Sequence, residues 1–189
     1  DSTPVAHRAV PRGLVDPRRR GAAGPQYAAS GIKAVLLGAD YRDAWATRIR
    51  VPVLDLDRYA GGITATERGA GNQTISLRFQ STDGRESTFR SDDKYPRLPE
   101  EPALAGTVVG AVIQDQVSSL HPAAALIVAP ILDAVGVLHP EPMLAVMPDD
   151  PDLGEFREEF AGMLGLIEER PDEQEGDRPG FGGFTKIVA

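Results

Sequence analysis

The chain has 189 residues, 41% hydrophobic and 25% charged, a globular rather than a disordered balance. Its formal net charge of −8 argues against nucleic acid or an anionic membrane as the main partner. Absence of cysteine excludes disulfide scaffolds, thiolate zinc sites and cysteine nucleophiles, and three scattered histidines argue against a histidine-built metal cage. Opening on Asp1 and stopping at Ala189 within a pattern, the sequence reads as a piece of a longer chain.

Residues 1–26 hold five arginines against two aspartates, with Pro4, Pro11, Pro17 and Pro25. Such a stretch buries too little apolar surface to offset its ordering entropy, so it is expected to be a flexible basic linker. Residues 27–189 are expected to form the folded lobe, truncated on its C-terminal side. Its charge is uneven: 149–178 carries twelve acids against three arginines, whereas 33–97 carries eleven basic and nine acidic residues. The mildly basic middle is where an anionic small molecule is best tolerated.

In chain order, 27–45 starts helical around Ile32, Val35 and Leu36 and then turns loop-like. Residues 49–56 alternate as a strand, with Pro52 suggesting an edge. A short β-prone run at 63–66 is followed by Gly69-Ala70-Gly71-Asn72-Gln73. Residues 74–80 set Ile75, Leu77 and Phe79 on one face and Thr74, Ser76 and Arg78 on the other, a clear period of two. Ser81-Thr82-Asp83-Gly84 is a hairpin turn, and 85–91 returns as its partner strand, so 63–91 reads as a three-stranded meander.

After Pro96, Pro99 and Pro102, helical spacing runs over 104–120. A second apolar helix over 123–135 is kinked at Pro130 and stopped by Gly136. Residues 143–147 suit a buried strand and 153–160 a short helix. Residues 162–168 suit a strand or a continuation of that helix, and 171–183 a loop. The result is an α+β fold: an antiparallel sheet of about five strands packed against two or more helices. The longest apolar run, 123–138, is interrupted by Pro130 and Asp133 and is too short to cross a bilayer, so no direct membrane insertion by this segment is expected.

The glycine-rich connection joins two strands and does not open a helix. That excludes a P-loop and a dinucleotide fingerprint. A glycine-rich hairpin over phosphates is instead the device of protein kinases, because missing side chains let backbone N–H groups approach the phosphates. The plainer reading is a simple turn. Lys94 is the only lysine between Lys33 and Lys186. It follows the third strand, near where a kinase places the lysine that pairs with the phosphates, and a helix comes next. That helix carries Gln114, Asp115 and Gln116, any of which could orient it; otherwise Lys94 is a solvated surface charge.

Asp149, Asp150 and Asp152 suit an acidic turn better than a cation site. His121 and His139 read as helix-end residues. No Gly-x-Ser-x-Gly elbow is present to support Ser/His/Asp catalysis. Trp45 reads as a packing anchor.

Several stretches carry a resemblance: Tyr41-Arg42 with Trp45, Gly61-Gly62, 69–78, Phe89-Arg90-Ser91, Lys94, Gln114-Asp115-Gln116 and His121-Pro122. The most specific is Met147-Pro148-Asp149-Asp150-Pro151 with 153–157, 159–164 and Glu168-Glu169-Arg170-Pro171. Over 25–189 the chain resembles a family of large bacterial envelope proteins, some with an upstream calcineurin-like metallophosphoesterase domain. In that family this region looks like the N-terminal lobe of an atypical kinase-like domain. The resemblance implies a kinase N-lobe-like fold, ATP and Mg as cofactors, and a location in the cell envelope or periplasm. It makes Gly69, Gly71, Asn72 and Gln73 the phosphate loop, Lys94 the phosphate-pairing lysine, and 162–170, with Glu168 and Glu169, the strand and hinge against the adenine; Asp115 counts with the nucleotide-binding residues as one of the three that could orient Lys94. Ala70 stands where a third glycine is usual and Tyr95 where an acid is usual.

The catalytic loop and the magnesium ligands are expected in a downstream lobe, the implied partner, so no phosphoryl transfer is expected of this fragment. The rival expectation is a non-catalytic interaction domain linking an envelope metallophosphoesterase to a membrane component.

Overall fold

A computed structural model describes residues 14–39, 42–69, 74–94 and 107–186. Among them, seven strands form one sheet: β1 (Leu14–Gly21), β2 (Ile49–Leu54), β3 (Ile63–Gly69), β4 (Ser76–Ser81), β5 (Glu86–Ser91), β6 (Met143–Val146) and β7 (Leu164–Glu169), in the spatial order β1-β2-β6-β7-β5-β4-β3. Helices α1 (Gly31–Leu37) and α2 (Arg42–Ala46) precede β2, α3 (Val108–Asp115) and α4 (Ala124–Ala134) lie between β5 and β6, and α5 (Arg157–Phe160) lies between β6 and β7. The chain is α+β, as its residue patterns predict.

Five of the strands, β3-β4-β5-β7-β6, are antiparallel neighbours throughout. β7 returns between β5 and β6, so the meander and the last two strands share one continuous sheet. β2 joins β6 in parallel through Val53 and Val146. Residues 14–21, expected within the linker, instead pair antiparallel with β2, with an irregularity between Val15 and Arg19. The partner is β2, and the proline does not oppose it. Pro17 has no N–H to give a ladder, and here it falls in the bulge, so it costs no strand hydrogen bond.

The main core lies on one sheet face. Leu77 of β4, Phe89 of β5 and Ile167 of β7 are cross-strand neighbours, and all are fully buried. The segment leading into β7 caps them with Leu153, Phe156 and Phe160. Gly165 explains how β7 fits so closely. A Cβ there would collide with Arg90 O and lie 2.5 Å from Phe89 Cζ. Residues 162–168, ambiguous between strand and helix, become a strand because this slot between β5 and β6 is open to them.

A second, smaller core holds Tyr27, Trp45 and Val117. Trp45 is the expected anchor: its ring meets Tyr27 edge-on at 5.1 Å and its Nε1 donates to Leu120 O at 2.8 Å.

The helices follow the sequence signals. Thr107 caps α3 by accepting from Gly110 N, Pro130 lies inside α4, and Gly136 follows it at φ 71°. The stretch Val109–Ala134 has the length and mean hydropathy, 1.5, of a membrane span. As folded, it is two short helices separated by a 3-10 turn (Gln116–Ser119) and an extended Leu120. α1 leaves Ile32 and Val35 78% and 84% exposed.

Candidate functional site

The end of the sheet at which β3 finishes in Gly69 also carries Lys94. Gly69 pairs with Ser76, Ser76 with Arg90, and Ser91 N donates to Ile75 O at 2.8 Å. A Cβ on Gly69 would meet the Ser76 hydroxyl of the neighbouring strand. Ala70, Gly71, Asn72, Gln73 and Tyr95 lie outside the described residues.

Past β5 the chain turns sharply and is pinned on both sides. Ser91 Oγ accepts from Ile75 N at 3.1 Å and donates to Asp93 O at 2.7 Å. Asp93 accepts from Lys94 N at 2.9 Å, Tyr27 OH at 3.0 Å and Gln26 Nε2 at 2.6 Å. Gln114, from α3, donates to Tyr27 OH at 2.6 Å and to Lys94 O at 2.7 Å. Burial, and then the Asp93 charge, push the Tyr27 phenol well up, so it stays a neutral donor. Of the three polar residues at the end of α3 and just past it, Gln114 is the one that holds Lys94, through its main chain. The Lys94 side chain is half-buried and closes no ion pair among the described residues.

Asp115 is turned elsewhere. Its carboxylate receives Arg42 in a two-pronged pair, Nη1 to Oδ1 at 2.8 Å and Nη2 to Oδ2 at 2.5 Å, with Lys33 Nζ at 3.1 Å. Arg42 spends its other N–H groups on Tyr27 O, Leu37 O and Gly38 O, so all its donors are used. The Arg42 hydrogen bonds hold the Asp115 carboxyl below the usual range against the cost of burial. This cluster ties α1, α2 and α3 together, and Asp115 is not brought to Lys94.

Glu168 and Glu169 stand opposite Thr88 and Ser87, toward the other end of β5. That is three to four residues from Ser91, roughly 10–13 Å at strand rise. Glu168 pairs with Arg90, and Glu169 faces Arg85 at 3.7 Å. Glu169 also lines a cavity of about 410 Å³ with Tyr59, His139 and Phe181. The acidic turn behaves as expected: Asp150 accepts from Asp152 N at 2.9 Å and Asp149 pairs with Arg157 at 2.7 Å. Among the described residues, no group of three or more histidine or acidic side chains is placed to hold a metal ion.

The residue patterns do not single out Asp92. It is 7% exposed, and its carboxylate makes no hydrogen bond among the described residues. Burial pushes it up to about 6, with Lys94 drawing it down and Asp93 raising it. It lines a mostly apolar cavity of about 430 Å³ between α2, residues 121–123 and the sheet. The alternation of β5 puts it on the face of exposed Arg90, so its burial was not legible in the sequence. Comparisons with protein-family models, with curated proteins and with solved structures found no match.

Proposed function

We propose that this chain is the nucleotide-binding lobe of an atypical kinase-like domain of a bacterial envelope protein. The observation that carries this reading is the architecture around Lys94. A three-stranded meander (β3, β4, β5) is followed by helices and then by β6 and β7, with β7 returning beside β5. Gly69, which opens the glycine-rich connection, and Lys94 lie at one end of that sheet, and 168–170 at the other. A nucleotide laid along β5 would have its phosphates at the Lys94 end and its base toward Glu168 and Glu169. The Lys94 ammonium, held by its backbone and without an ion pair among the described residues, suits a phosphate partner as a point charge. Magnesium and the groups that transfer a phosphoryl belong to the following lobe implied by the resemblance, and this lobe contributes positioning.

Amide NMR of the chain titrated with Mg-ATP tests the reading. Saturable shifts at 69–76 and 91–94, lost in Lys94→Ala, are expected. Equal shifts in both proteins would remove Lys94 from the site, and no shifts at millimolar nucleotide would remove the reading.

One observation favours a second reading, the interaction domain between an envelope metallophosphoesterase and a membrane component. α1 presents Ile32, Val35 and Leu36 to solvent, an apolar face beyond what scattered surface residues explain. That reading expects partner binding that survives changes at Lys94 and in the glycine-rich connection but not Val35→Asp.

A further inference from the structure

We propose that the cavity between α2, residues 121–123 and the sheet is a binding site for a small organic ammonium ion with an apolar body, received by Asp92. The cavity, about 430 Å³, lies within the range of small-molecule sites. Its walls are Ile49, Leu144, Leu164 and Pro122, which suit an aromatic or aliphatic body.

The polar groups on it are few, and they set the charge. Asp92 lines it nine-tenths buried and without a hydrogen bond among the described residues, while Asp43 and Thr47, which also line it, are exposed. Among the described residues, no lysine or arginine lines it. His121 Nδ1 accepts from Ala123 N at 3.1 Å. A buried carboxylate without a donor is costly, and an ammonium supplies both the donor and the countercharge. Lys94 only partly offsets the Asp92 charge.

The site does not rest on the nucleotide reading, and the two fail separately. The probe is 2-phenylethylammonium, with 2-phenylethanol and phenylacetate as neutral and anionic matches, read by amide NMR of the whole chain. The amine is expected to shift Asp92, Ala44 and Leu144 saturably. Asp92→Asn is expected to weaken it by about tenfold or more, the loss of one charge-assisted hydrogen bond. Thr47→Trp, a change at an exposed lining position, is expected to block entry while leaving Asp92 intact. Lys94→Ala is expected to keep or tighten amine binding while abolishing any nucleotide response. Binding should also fade as pH falls through about 6, where Asp92 takes up a proton. The groups facing it (Lys94, Asp93, Asp43 and His121) are the ones to hold constant in that comparison. Alcohol binding as tight as amine binding, amine binding unchanged in Asp92→Asn, or no amine shifts at millimolar concentration would each overturn the proposal.

Discussion

Arg42 and Asp115, 73 residues apart, form a two-pronged ion pair with 3% and 6% of each residue exposed. In the sequence, Arg42 belongs to one of the motifs that carry the resemblance, and Asp115 is one of three residues that could orient Lys94. The fold spends both on each other. Their pairing joins α2, between β1 and β2, to the helix between β5 and β6, and so sets where Gln114 meets Lys94.

Removing Asp115 leaves a guanidinium buried without its countercharge. Asp115→Ala is expected to cost about 3–5 kcal/mol, read by urea unfolding. Asp115→Asn keeps the shape and tests the charge alone. The folded carboxyl lies below its ordinary 3.8, so its contribution is present above that pH and is lost as pH falls through the folded value. The gap between wild type and Asp115→Asn should therefore close in acid. A constant gap would mean that packing, not charge, carries the effect.

Asp92 predicts the opposite sign. Its carboxyl binds protons more tightly folded than unfolded, from 3.8 up to about 6. Stability should fall as pH rises through that window, by at most about 3 kcal/mol for a proton affinity raised roughly a hundredfold. Asp92→Asn is then expected to stabilise the chain at pH ~7 and to be neutral below the unfolded value. Thermal unfolding on either side of the window measures it, and destabilisation at neutral pH would contradict the assignment.

Gly165 has no side chain because Phe89 and Arg90 O occupy the space one would need. Gly165→Ala is expected to cost about 1–3 kcal/mol from overpacking alone. Shifts in the Phe89 ring signals should accompany the loss. A neutral substitution would show that β7 sits farther from β5 than its register implies.

Gln114 donates to both Tyr27 OH and Lys94 O. Gln114→Ala is expected to cost about 1–2 kcal/mol and to loosen the turn at 91–94. Amide hydrogen exchange there should speed up while β4 stays protected. If Mg-ATP binds as proposed, the same variant should weaken the response without abolishing it, because the Lys94 ammonium remains.

Local chemistry was legible in the sequence. The period of two at Ile75, Leu77 and Phe79 has only one buried solution, a strand with that face inward. Gly84 and Gly136 adopt positive φ at the turn and helix end where the neighbouring pattern demands it. Trp45, too large and apolar to leave in water, found a core.

The tertiary structure decided whatever depended on partners far away in the chain. Nothing near residues 14–21 announces a strand; β2 makes them one, by supplying the hydrogen bonds they lack. Residues 162–168 had two local solutions until the slot between β5 and β6 selected the strand. Asp115 and Asp92 are both acids near apolar residues, yet one is satisfied by Arg42 and the other meets a cavity. Charge type is written in the sequence, but burial and pairing arise only when distant segments pack. It is burial and pairing that make one carboxylate a brace and leave the other facing a cavity that suits a ligand.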